Sequence, residues 1–231
     1  MTNSTFKSGR ESSLHSAIKE WYFHEGDKLE TKVDGYVIDI KRGSLLIEVQ
    51  TANFSAIKIK LQHLLNKHKV RLVYPIAKQK WIIHRSAASE DTFGRRRSPR
   101  KGCLLDLFNE LIRIPNLFCN DNLSIEVLLI EEEEIWCNDG KGTWRRKGAS
   151  IQDKKLIRVF ERELFEHKTD FLKVLPKDLP EPFTNRNLAE NLGIHINQSR
   201  RITYSLRKIG VITQVGKSGN QMLFKSSALT V

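Results

Sequence analysis

Apolar and polar residues alternate along this chain in two rhythms, one helical and one with period two. Over residues 11–23 the apolar positions Leu14, Ile18, Trp21 and Tyr22 recur at helical spacing. From about residue 30 to 51 the rhythm is that of strands, in which side chains at i and i+2 share a face. The segments Val-Asp-Gly-Tyr-Val-Ile-Asp-Ile and Leu-Leu-Ile-Glu-Val-Gln-Thr flank Lys41-Arg42-Gly43-Ser44 and read as a β-hairpin that turns near Arg42-Gly43. Residues 56–67 return to helical spacing through Ile57, Leu61, Leu64 and Leu65. Residues 70–76 form an apolar run typical of a parallel strand, and residues 80–83 can extend the same sheet.

Further along, residues 103–114 predict an amphipathic helix with Leu104, Leu107, Phe108, Leu111 and Ile112 on one face, ended by Pro115. Residues 123–136 begin as a strand. Its run of four glutamates, Glu131 to Glu134, reads as a solvated edge or hairpin end, because alternation leaves only two acids on each face. Residues 150–167 predict a linking helix (Ile151, Leu156, Ile157, Phe160, Leu164), with Ser150 and Asp153 at its start. After a proline-containing lead-in at 171–183, Thr184 with Asn187 three residues on predicts a capped helix over 185–192. Gly193 makes the turn into a second helix over 197–209, with Ile202, Leu206 and Ile209 inward. Two short strands, 211–215 and 221–224, close the chain around Gly216 to Asn220. The predicted organisation is a first domain over 1–150, a linking helix over 151–175 and a last domain over 176–231.

Polar residues inside the apolar hairpin carry the candidate chemistry. Asp39, Glu48 and Gln50 interrupt strands that are otherwise hydrophobic, and a buried carboxylate is costly unless it is paired or holds a metal. If Ile40 pairs with Leu45, Asp39 lies opposite Leu46 and diagonal to Glu48 on one face, roughly 7–8 Å away. A slip by one residue would send the two acids to opposite faces, so the arrangement requires a loop of two or four residues.

An Asp followed by Glu-x-Lys at the end of an apolar strand marks the PD-(D/E)XK nuclease superfamily. The chain resembles that superfamily through Asp39 and Glu48-Val49-Gln50, over roughly residues 8–84. The resemblance implies an α/β fold with a restriction-endonuclease-like αβββαβ core. It implies Asp39 and Glu48 as ligands of Mg²⁺ or Mn²⁺, with Gln50 in the place of the superfamily's Lys and a first-helix glutamate, Glu11 or else Glu20, completing the catalytic set. The activity implied is hydrolysis of DNA phosphodiester bonds. Gln50 carries no charge, so a catalytically inactive, nuclease-like DNA-binding protein or regulator stands as the alternative, and Lys58 and Lys60 are the nearby cations that could replace the missing charge.

The helix, glycine turn, helix and two-stranded ribbon at the end of the chain resemble winged helix-turn-helix DNA-binding domains. That resemblance implies duplex DNA as partner, Asn197, Gln198, Arg201 and Tyr204 at base edges, and Arg200 and Lys217 at phosphates.

Charge supports a polyanionic partner. The net charge is +12. Residues 1–84 carry 14 Lys and Arg against 8 acids, residues 85–155 carry 13 against 12, and residues 156–231 carry 12 against 7, so the excess sits in the two end segments. A loop-like stretch over 86–102 offers Arg95, Arg96, Arg97, Arg100 and Lys101 to phosphates. Trp144 with Arg145, Arg146 and Lys147 either stacks on a base, clamps a backbone or caps a core. The three cysteines lack metal spacing and read as reduced thiols. The polar N-terminus and the lack of a long apolar run predict a cytoplasmic protein without membrane association. A homodimer is left open.

Overall fold

The computed structural model describes residues 12–86 and 92–227. Helix α1 (Ser13–Tyr22) starts at Ser12, whose side chain accepts a hydrogen bond from the His15 N–H, and buries Leu14, Ile18 and Tyr22 at four-residue intervals. Glu11 lies outside the described residues. Strands β1 (Lys28–Val33) and β2 (Tyr36–Arg42) are joined by Asp34-Gly35, both with positive φ, as two-residue hairpin turns require. Strand β3 (Leu45–Val49) follows after Gly43-Ser44. Helix α2 (Phe54–Leu64) leads into β4 (Lys69–Arg85), whose first residues run parallel to β3. Strand β5 (Thr92–Arg97) pairs antiparallel with the end of β4. A 3₁₀ turn at Leu104–Leu107, the short helix α3 (Phe108–Leu111) and a second 3₁₀ turn at Pro115–Cys119 precede β6 (Leu123–Cys137) and β7 (Ser150–Phe165). Helices α4 (Asn185–Leu192) and α5 (Ile196–Ile209) and the ribbon β8 (Ile212–Ser218) with β9 (Gln221–Ser226) follow. The main sheet is mixed, in the order β1-β2-β3-β4-β6-β7 with β5 paired to β4, so the protein has a mixed α/β fold.

The chain divides into two compact units that alternate along the sequence. One comprises Lys28–Tyr74, Leu104–Val127 and Glu163–Val231; the other comprises the chain up to Asp27, Pro75–Cys103 and Leu128–Arg162. The last helices and ribbon belong to the same unit as the hairpin residues.

In the unit that holds the hairpin, β3 has neighbours on both sides, and Leu46, Ile47, Glu48 and Val49 are all buried. Such a strand reads as a continuous apolar run, which makes Glu48 conspicuous. Ile38, Ile40, Ile47, Val70, Leu72 and Val73 join Phe54, Ile57, Leu61 and Leu64 of α2 in the core, each 6% exposed or less. Glu110 accepts a hydrogen bond from the Phe54 N–H and so caps α2, since the Asn53 side chain makes no cap bond.

The other unit corrects three expectations. Residues 150–165 form a strand, not the start of a linking helix over 151–175, and a 3₁₀ turn at Lys168–Val174 follows. The glutamate run is not a solvated edge: Glu131, Glu132 and Glu134 are between 3% and 7% exposed. Arg95, Arg96 and Arg97 belong to β5 and not to a loop. These three departures have one cause. Glu131 accepts hydrogen bonds from Gln79, Trp81 and Arg158 at 2.6–2.8 Å. On the opposite face, Lys80 lies 2.9 Å from Glu132 and 2.7 Å from Glu134, and Lys154 lies 3.2 Å from Glu134. Arg95 pairs with Glu133 at 2.8 Å. Cations of β4, β5 and β7 thus find their acids on β6, and this cross-strand pairing overrides the helical spacing of 150–167. Asp153, expected to start a helix of its own, instead accepts from the N–H and hydroxyl of Ser13 at the start of α1.

Burial pushes the Glu134 carboxyl up, but hydrogen bonds from Lys80 and Trp136 and the charges of Lys80 and Lys154 outweigh it and bring the pKa to about 2. A carboxylate depressed in this way contributes stability above its ordinary pKa of 4.5 and loses it as pH falls toward 2. Lys80→Met should therefore cost about 3 kcal/mol in urea unfolding at neutral pH, where it strands buried carboxylates, and much less near about pH 2. An equal cost at both pH values would show that ionisation of the glutamates is not what Lys80 supports.

Candidate functional site

The β2–β3 register decides whether the polar residues of the hairpin meet. Ile40 pairs with Ile47, Lys41 with Leu46 and Arg42 with Leu45, across the two-residue loop Gly43-Ser44. Gly43 has φ +58°, a conformation costly for residues with a Cβ. One step further along this register Asp39 falls directly opposite Glu48, rather than opposite Leu46 and diagonal to Glu48. The pairing differs from the expected one by two residues, an even shift, so the two acids still share a face.

Local hydrogen bonds hold the cluster. Asp39 Oδ2 accepts from the Val49 N–H at 2.8 Å, which ties the carboxylate of β2 to the end of β3. Glu48, 4% exposed, has its Oε1 2.6 Å from Lys60 Nζ. Lys60 also donates to the Val37 carbonyl at 2.6 Å, so one α2 side chain spans both strands. Gln50 stands just past β3. Its N–H donates to the Val73 carbonyl at 2.9 Å, and its side-chain amide donates to the Ala52 carbonyl. Of the two lysines named from sequence, Lys60 lies in the cluster while Lys58 is exposed. Glu20, the second first-helix candidate, is exposed on α1. Among the described residues, no group of three or more His, Cys, Asp and Glu side chains gathers as a metal cage. The acids brought together are the pair Asp39 and Glu48.

Burial and then the neighbouring Asp39 raise the Glu48 pKa, against the charge and hydrogen bond of Lys60, from the ordinary 4.5 to about 7. Two hard oxygen donors, one of them with its proton affinity raised by its surroundings, form a set that suits a divalent cation of the Mg²⁺ kind.

Helix α5 divides its outward side chains between two faces. Gln198 donates to the Leu105 carbonyl at 2.7 Å, and Arg201 donates to Asn109 Oδ1. These two expected base readers are thus engaged with the 104–111 segment. The i, i+4, i+7 residues Arg200, Tyr204 and Arg207 instead line a groove of about 420 Å³ with Arg186 of α4 and Met222 of β9. Asn197 and Lys217 are exposed. Arg186 and Met222 could not be singled out from sequence, since what assigns them is the packing of α4 and the ribbon against α5. In β5, Arg95 lies 3.9 Å over the Trp81 ring as well as pairing with Glu133, and Arg97 donates to Gln79. Arg96, Arg100 and Lys101 are exposed.

The Glu48 shift has a definite sign. The folded chain holds this proton more tightly than the unfolded chain, so the stabilisation is complete below about pH 4.5 and is lost as pH rises to about 7. Thermal unfolding of the wild type should weaken over that window by up to about 3 kcal/mol, and Glu48→Gln should flatten the dependence. An unchanged slope in the variant would assign the pH dependence to other groups.

Comparison with known proteins adds lineage. Residues 12–166 match the family described as a domain of unknown function, DUF8091. An uncharacterized protein of Treponema pallidum (strain Nichols) is 31% identical over 225 residues, covering 96% of this chain and 87% of the relative, and so reaches well past the family match toward the C-terminal ribbon. No solved structure matches the chain. On the extent of both matches, the chain belongs to the DUF8091 family.

Proposed function

We propose that this protein is a metal-dependent endonuclease of the PD-(D/E)XK type that hydrolyses DNA phosphodiester bonds. The observation that carries the reading is the shared face of Asp39 and Glu48 on adjacent strands, with Glu48 raised partly by its neighbour. The element order α1-β1-β2-β3-α2-β4, with β3 antiparallel to β2 and parallel to β4, agrees with it. Asp39 and Glu48 would hold Mg²⁺ or Mn²⁺, which when bound polarises a phosphoryl oxygen and lowers the pKa of water. Asp39 is aimed by the Val49 N–H, and Glu48 must release its proton to act as a ligand. Gln50 offers an amide acceptor to a water, and Lys60 supplies the positive charge that Gln50 lacks. The module of α4, α5 and the β8–β9 ribbon acts as a winged helix. It holds duplex DNA through Arg186, Arg200, Tyr204 and Arg207 in the groove and Lys217 on the ribbon. The reading places the protein in the cytoplasm with DNA.

A second reading is favoured by the Lys60–Glu48 ion pair itself: a lysine already neutralising the glutamate suits a DNA-binding protein that does not cut.

Incubation with supercoiled plasmid and with single-stranded circles separates the two. Cleavage should require Mg²⁺ or Mn²⁺, stop in EDTA and be abolished in Asp39→Ala, while duplex binding is retained. Millimolar Mg²⁺ should also raise the unfolding temperature of the wild type more at about pH 8 than at about pH 5, because the ligands must be deprotonated. A wild type that binds DNA, never cuts it and gains no stability from either metal would establish the second reading.

A further inference from the structure

Trp144 is 82% exposed, the most exposed of the large hydrophobic side chains among the described residues, and it sits on a loop whose backbone is tightly organised. The loop joins β6 to β7. At its base the Asp139 carboxylate accepts from the Lys141 N–H at 3.0 Å and from the Ser150 hydroxyl at 2.8 Å. The Gly142 N–H donates to the Gly148 carbonyl at 2.8 Å, and a Cβ at Gly142 would lie 1.7 Å from the Ala149 carbonyl oxygen. Trp144 itself begins a 3₁₀ turn, Trp144–Arg146, that closes at Lys147 with φ +51°. The Arg146 N–H donates to the Thr143 carbonyl and the Arg146 guanidinium to the Ala149 carbonyl. An indole left in water forgoes the gain of burial. A loop built this closely fixes the backbone from which the ring projects.

The surroundings of the ring identify what it meets. Lys141, Arg145 and Lys147 are exposed, and the Arg145 guanidinium lies 5.5 Å from the ring centroid. Together they form an aromatic face within a positive field. A strand of nucleic acid with unstacked bases offers the matching pair, a π-face for the indole and phosphates for the cations. A paired base inside a duplex offers no free face to stack upon.

We propose that the Trp144 loop is a contact site for an unpaired nucleobase, with Trp144 stacked on the base and Arg145, Lys147 and Lys141 against the flanking phosphates. The proposal concerns binding and stands independently of the Asp39–Glu48 reading.

The test uses the full chain in EDTA, so that cleavage cannot intervene, and fluorescence anisotropy of labelled strands of about 20 nucleotides. Trp144→Ala should weaken binding of oligo-dT or oligo-U by about tenfold and leave a duplex of equal length within about twofold. The preferred oligonucleotide tells DNA from RNA. Trp144→Phe should keep most of the affinity, and Trp144→Leu should lose it, because leucine keeps hydrophobicity without a ring. Arg145→Gln should reduce the salt slope by about one. The melting temperature of each variant checks that the fold is intact. Equal affinities of wild type and Trp144→Ala for single strands would overturn the proposal. So would Trp144-dependent binding to vesicles of phosphatidylglycerol and phosphatidylcholine without any effect on strands, or an equal loss for strands and duplex.

Discussion

The hydrogen bond from the Val49 N–H to the Asp39 carboxylate fixes how β2 and β3 face each other at the candidate site. It acts with the two-residue turn at Gly43-Ser44, which sets the register at one end while Asp39 secures the other. Because side chains alternate strictly along a strand, this pairing places Asp39 and Glu48 on one face; a shift by one residue would separate them. Burial of β3 on both faces then leaves Glu48 with little water, and its ionisation depends on what stands beside it. The electrostatics of the cluster thus follow from a backbone donor, a short turn and a central strand.

Elements whose signals are local could be read from the sequence. Thr184 and Asn187 form the reciprocal cap expected of them, Gly193 ends α4 in a left-handed conformation, and Ile202, Leu206 and Ile209 are buried on α5. Ser12 and the four-residue apolar spacing define α1 in the same way. Region 150–165 was opaque because its information is not local. Ile151, Leu156, Ile157 and Phe160 suit a helix on one side, yet Lys154 and Arg158 find their partners on β6. The same non-local pairing hides in the glutamate run. Four successive acids suggest solvent until the lysines and arginines of β4, β5 and β7 are brought alongside.

The candidate site was legible in part. Alternation alone could place Asp39 and Glu48 together, given an even loop. It could not show that Lys60 reaches across from α2 to Glu48 and the Val37 carbonyl, since that depends on how the helix packs over the strands. Nor could it show that Gln198 and Arg201 are engaged with residues 104–111, which leaves the groove side of α5 to Arg200, Tyr204 and Arg207. Helical periodicity names the outward residues, whereas tertiary packing decides which of them stay open to a ligand.

The alternation of the two units along the chain bears on where such a protein can be divided. Each unit is assembled from three separated stretches, and β4, β6 and β7 each have residues in both. A single break inside residues 28–162 would leave neither fragment with a whole unit, whereas a break at either end of that range spares one. Strands β4, β6 and β7 are therefore shared backbone, and an insertion or deletion in any of them interrupts chain that both units use.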